Sequence, residues 1–259
     1  MDLKPEDLAT LGLAKAQLEH PSLAVRLTDL LALPLEKGLR RLPRRLSRMV
    51  NAATRKAIQA GLRFALVTMR KERRTRPLRR THKVAALACG ATGGAFGLAA
   101  LPLELPVSTV IMLRSIMDIA RSEGEDLRSP ETALNCLQVF ALGGRSDNDD
   151  AAGTGYYAVR AALSKIVSEA AEFISSRGLT AEGAPVLVRL IAAIASRFGL
   201  VVSEEVAAMS IPVVGAVGGA LVNTIFMNHY QTIAQAHFAI RRLERQYGAE
   251  AVSEEYRRL

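Results

Sequence analysis

Tryptophan is absent from this chain, and its other aromatics are few: five Tyr and seven Phe in 259 residues. With only Phe64 as an aromatic inside its most basic region, base-stacking recognition of single-stranded nucleic acid has little to work with. The two cysteines, Cys89 and Cys136, lie in apolar surroundings without partners at metal-ligand spacing, which excludes a disulfide framework and a zinc module and leaves them as core thiols. Histidine is equally scarce. His20, His82, His229 and His237 form no cluster, and the last two, eight residues apart, are separated by about 12 Å of helix rise. Neither a metal nor a cofactor is expected. Strand signals are almost missing, since alternating runs are short and Ala, Leu, Arg and Glu recur at three-and-four spacing. The first residues, Met1 to Asp7, mix both charge signs and lead into no apolar run, so no secretory signal is read and a cytoplasmic location is expected.

What the chain has in quantity is positive charge, and it sits in one block. Between Lys37 and Lys83 there are 17 Lys and Arg against the single acid Glu72, a local balance of +16; the whole chain is +9, so the remainder is −7. From Leu39 the apolar residues fall at Leu42, Leu46, Met49 and Ala53, while Arg40, Arg41, Arg44, Arg45, Arg48 and Arg55 point elsewhere, the pattern of a basic amphipathic helix. A second basic run, Arg70 to Lys83, contains Arg73, Arg74, Arg79 and Arg80 and is broken by Pro77. Such blocks meet anionic lipid, nucleic acid or solvent. An amphipathic pattern beside apolar segments favours an anionic membrane surface as partner, and nucleic acid is the lesser alternative because no zinc or RNA-binding signature accompanies the block.

The fold class read from these patterns is all-α, a multi-helix bundle with two glycine-rich apolar helical hairpins. Two stretches carry no charge, Val84 to Leu103 and Val206 to Met227, and they share a hexapeptide form in Gly90 to Ala95 and Gly215 to Ala220. Gly90 with Gly94, and Gly215 with Gly219, make smooth i, i+4 ridges for close helix packing in lipid or in a core. A reversal is expected at Pro102 to Pro106, with Val107 to Arg121 running back as an apolar helix that carries Arg114 and Asp118 one turn apart. Further helices are expected after Ser129-Pro130-Glu131, ending at Gly143-Gly144, over Tyr156 to Ser176, and over Pro185 to Phe198 with a stop at Gly199 and a new start at Ser203. Along the last long helix, Asn223, Met227, Tyr230, Ala234, His237 and Arg241 fall within about 40° of a common line at 100° per residue. The resulting expectation is a partly buried polar seam in which Asn223, Tyr230 and His237 face Arg114 and Asp118.

Catalytic motifs fail one after another. Gly153 to Ala158 fits G-x-G-x-x-A, but an acidic run precedes it where a strand belongs; the same acids lack the glycine and the bidentate Glu of a calcium loop. No G-x-S-x-G, H-E-x-x-H or P-loop is present.

Several segments together resemble the EcsC family of bacterial proteins: Ile116 to Glu131 (IMDIARSEGEDLRSPE), Val139 to Gly143, Gly153 to Arg160 (GTGYYAVR), Pro212 to Phe226 (PVVGAVGGALVNTIF) and His237 to Gly248 (HFAIRRLERQYG). The resemblance spans about residues 80 to 250. It implies a membrane-associated protein, possible service to an ABC transporter, and no assigned reaction or catalytic residue. Two regions are therefore expected: 1–83, N-terminal helices with the basic amphipathic region, and 84–259, the EcsC-like helical domain. The function expected is that of a non-enzymatic accessory protein peripheral to the inner face of the membrane; the alternative is a small-molecule or lipid binder, or an enzyme, that uses the seam between the glycine-rich helices.

Overall fold

The computed structural model describes residues 3–19, 43–68, 100–143, 155–177, 184–209 and 215–259. Every regular element among them is a helix: α1 Pro5–Glu19, α2 Arg44–Thr68, α3 Leu101–Ser122, α4 Pro130–Leu142, α5 Gly155–Arg177, α6 Pro185–Met209, α7 Gly215–Tyr247 and α8 Ala249–Arg258. The all-α reading therefore stands.

α4 is the axis of the bundle. Thr132 through Leu142 are buried without exception, Thr132, Asn135 and Gln138 included. The helix is surrounded by its neighbours, packing on α2, α3, α5, α6 and α7. Pro130 occupies its first turn after Ser129, where a missing N–H costs nothing, and the helix stops at Leu142 before Gly143 as expected. Aromatic rings fill the space between α4, α6 and α7: Phe140 lies 4.9 Å from Phe198 and 5.1 Å from Tyr230 between ring centroids.

Two expectations about helix ends are corrected. The reversal at Pro102 to Pro106 does not exist, because α3 runs unbroken from Leu101 to Ser122 through both prolines. Pro102 sits in the first turn, where its N–H would be an orphan anyway; Pro106 removes one internal bond but is half-exposed, so water can serve the carbonyl it leaves. Burial of Leu101, Leu105, Ser108, Thr109 and Met112 along one face outweighs that loss. Gly199 likewise does not stop a helix. It lies inside α6, at a point where a Cβ would stand 3.6 Å from Asn51 Oδ1 of α2, so its role is close approach between helices.

α1 packs on α7, α2 on α3, α4 and α6, and both contribute to the one apolar core that also holds α3 to α8. The boundary expected at 83/84 falls between residues outside the described set, as do Gly90, Gly94, Arg40, Arg41, Arg73, Arg74, Arg79 and Arg80. Gly215 and Gly219 are in α7, but the packing of that first turn and a half is likewise outside the description. Among the described residues one segment, Pro185–Ser203 of α6, is long and apolar enough to cross a membrane, and 56 % of it is buried inside the bundle.

Candidate functional site

Two features stand out from the packing: the outer face of α2 and the polar line along α7.

α2 has 25 residues and no acid. Val50, Ala53, Ala57, Ile58 and Ala65 are buried against α3 and α6, whereas Arg44, Arg45, Arg48, Arg55, Lys56 and Arg63 are all exposed. At 100° per residue those six cations fall within an arc of about 120°. Three of the expected membrane-binding residues, Arg44, Arg45 and Arg48, thus share one solvent face with three further cations.

The line along α7 is polar and deeply buried. Asn223 and Tyr230 are buried; the Tyr230 hydroxyl donates to Phe140 O of α4 at 3.4 Å, and His229 Nε2 meets Gly143 O at 3.0 Å. One polar contact between α7 and α3 runs from Gln231 Nε2 to Ser115 Oγ at 2.8 Å. Asp118 pairs at 3.5 Å with Arg121, one turn further along α3. His237 is fully buried, with Nδ1 2.9 Å from the Tyr156 hydroxyl of α5.

From His237 the line continues outward as a chain of four residues. Arg160 Nη1 donates to the Tyr156 hydroxyl at 3.2 Å and to Glu244 Oε1 at 2.7 Å, while Arg160 Nη2 donates to Glu244 Oε2 at 2.6 Å. Tyr157 adds a third donor to Glu244 at 3.3 Å. Because Arg160 donates to Tyr156, the phenol proton goes to His237 Nδ1, and the neutral imidazole carries its own proton on Nε2, which no protein group reaches. Burial, reinforced by the Arg160 and Arg241 guanidiniums, holds His237 well below its ordinary 6.5. Burial also pushes the Tyr156 phenol up to about 12, against the opposing pull of Arg160. This buried proton chain opens at its outer end on a groove of about 600 Å³ between α5 and α8, lined by Tyr157, Arg160, Ser164, Glu244, Glu250 and Arg257 among others.

A second anchor fixes α7 to the α3–α4 connection. Arg241 Nε and Nη2 donate to Glu125 at 2.8 and 3.2 Å, Arg245 also binds Glu125, and Arg242 Nε reaches Glu123 at 3.0 Å. Burial works to raise the Glu125 carboxyl, but its two guanidiniums prevail and hold it below the ordinary carboxylate value.

A protein-family model matches residues 8–243, from α1 to near the end of α7. The chain belongs to the EcsC protein family. No curated protein and no solved structure matches it at a significant level. The match in this EcsC protein takes in α1 and α2, so the cationic helix expected to lie largely outside the resemblance is within the family's span. Tyr156, Arg160, Glu123, Glu125 and Glu244 carry the polar network that sequence reasoning did not assemble. The signal was present, because all five stand in the segments on which the resemblance rested. Pairings between residues more than 80 positions apart give no local pattern, and among the described residues no group of three His, Cys, Asp or Glu side chains could hold a metal.

Proposed function

We propose that this EcsC protein is a non-enzymatic accessory protein peripheral to the cytoplasmic face of a membrane, docked through the α2 face on anionic lipid headgroups and serving a membrane partner such as a transporter. The observation that carries the reading is the exposed, acid-free arc of six cations on α2. Each Lys or Arg near an anionic leaflet contributes about 1 kcal/mol. Six on one rigid helix suffice for reversible attachment. Replacing Arg44, Arg45 and Arg48 with Gln removes about 3 kcal/mol, a loss of roughly two orders of magnitude in partitioning onto anionic vesicles. Added salt acts on the wild type in the same direction. Sedimentation with phosphatidylglycerol–phosphatidylcholine vesicles measures both; equal binding to vesicles of phosphatidylcholine alone refutes the electrostatic contact.

A second reading, a binder of a small polar molecule, is favoured by the groove at the end of the buried chain. In that case Glu250→Ala and Arg257→Ala abolish thermal stabilisation by the ligand without lowering the stability of the free protein.

A further inference from the structure

Arg160 uses only part of what it can donate. A guanidinium carries five N–H groups in one plane. Nη1 gives one to the Tyr156 hydroxyl and one to Glu244 Oε1, and Nη2 gives one to Glu244 Oε2. Two remain, the Nε–H and the second Nη2–H, side by side on the edge of the guanidinium that faces away from Tyr156. No described group accepts from that edge, and Nε is not one of the buried polar atoms left without a partner, so it is open to solvent. The Arg160 side chain is 22 % exposed, and it lines the groove between α5 and α8. Glu244 holds the end of the guanidinium by two bonds. The free edge is therefore a fixed fork of two parallel donors, the geometry that takes a carboxylate by both oxygens.

The rest of the lining does not suit a ligand that is only an anion. It has two Arg against three Glu, a balance of −1. Arg160 and Glu244 cancel as a pair, and Glu254 is held by Arg258 at 2.7 Å. Glu250 and Arg257 have no ion-pair partner among the described residues; the Arg257 Nε donates to the backbone at Ser253 O, at 3.2 Å. Both are exposed, seven residues apart on α8, about 10 Å along its axis and within about 20° of one line. One wall of the groove thus offers an unpaired acid and an unpaired base. A phosphate with two negative charges would meet three carboxylates there, whereas a carboxylate carried with its own ammonium finds a complement for each sign. The volume, about 600 Å³, lies within the range of about 300–1,000 Å³ usual for small-ligand sites. An extended peptide advances about 3.3–3.6 Å per residue, so three residues cover the separation of Glu250 and Arg257.

We infer that the groove between α5 and α8 binds a zwitterionic amino-carboxylate, an amino acid or a short peptide, whose carboxylate takes the free fork of Arg160 and whose ammonium pairs with Glu250. The assignment rests on the small-molecule reading of this groove and names its ligand class.

Isothermal titration calorimetry of the full-length protein separates the two contacts with five probes: alanine, trialanine, N-acetyl-trialanine, trialanine amide and glycerol 3-phosphate. Trialanine or alanine should bind, the tighter of the two telling peptide from amino acid. Trialanine amide, which offers the fork no carboxylate, should bind at least about tenfold more weakly than trialanine. N-acetyl-trialanine, without the ammonium, should lose about threefold, the worth of an exposed ion pair. In Glu250→Gln trialanine should fall by the same factor while N-acetyl-trialanine is unchanged, and circular dichroism should report an unaltered fold at this exposed position. Arg160→Lys keeps a cation beside Glu244 but has no fork, so it should no longer tell trialanine from its amide; the amide arm on the wild type stands even where that variant folds poorly. An amide bound as tightly as the acid, or a Glu250→Gln variant that binds trialanine as wild type does, would overturn the assignment. Binding of glycerol 3-phosphate alone, lost in Arg257→Ala, would overturn the zwitterion and leave the small-molecule reading standing. Silence from all five, which cover zwitterion, anion and cation, would overturn both.

Discussion

Acid should weaken this protein through the buried imidazole of His237. His237 is fully buried, neutral and hydrogen-bonded through Nδ1 to Tyr156, with its ionisation held well below 6.5 by burial and by two guanidiniums. In the unfolded chain the same side chain ionises at about 6.5. The folded state therefore binds fewer protons than the unfolded state below that value, and stability falls as pH falls, by about 1.4 kcal/mol per pH unit until the folded imidazole itself titrates. Between pH 6.5 and 5 the loss is about 2 kcal/mol, a substantial part of the 5–15 kcal/mol typical of a domain. Glu125 acts in a lower window: its folded ionisation is depressed, so its contribution is present above the ordinary carboxylate value and is lost as pH drops below it. Urea unfolding followed by circular dichroism at a series of pH values measures the slope. In His237→Asn, whose amide oxygen can take the Tyr156 hydroxyl proton but cannot titrate, the slope between pH 6.5 and 5 should shrink by about one proton, whatever the variant's absolute stability. A wild type whose stability is flat across that window, or a variant with an unchanged slope, refutes the reasoning.

Other outcomes follow from the same packing. Arg160→Ala leaves the Glu244 carboxylate buried, its side chain only 9 % exposed, without its guanidinium, and should cost about 3–5 kcal/mol in urea unfolding; Arg160→Met with Glu244→Leu should recover much of that loss. Gly143→Ala brings a Cβ to 2.7 Å from the Tyr230 ring and 3.0 Å from His229 Nε2, so it should cost about 1–3 kcal/mol although the backbone there is ordinary, with φ −78°. Gly199→Ala, in ordinary contact at 3.6 Å and inside a helix, should be neutral or raise stability by about 0.5–1 kcal/mol, and a loss as large as that of Gly143→Ala would show that α6 and α2 are closer than their contact implies.

Particular residues show how far the sequence could be read. The end of α4 at Gly143 was legible because the cap chemistry is local: Pro130 in the first turn, glycine just past the last apolar residue. The same local rules misplaced a turn at Pro102 to Pro106 and a stop at Gly199, because a proline near a helix start is tolerated and a glycine can serve a neighbouring helix rather than its own end. The α7 line at Asn223, Tyr230 and His237 was legible as a stripe, since helical spacing alone puts side chains on one face. That His237 meets Tyr156 of α5 was not legible.

The sequence by itself determined the helical class, the family, the concentration of cations between Lys37 and Lys83, and the start and stop of α4. Each of these is a sum over composition or a period within one element. Only the tertiary structure decided that His237 meets Tyr156, that Glu244 grips Arg160, that Glu125 gathers Arg241 and Arg245, and that Leu103 and Val107 of α3 stay exposed. The physical reason is the range of the forces concerned. Periodicity fixes which face of a helix is apolar, but the partner of a buried polar group is chosen by which helices pack together, and that choice depends on the shape of the whole core.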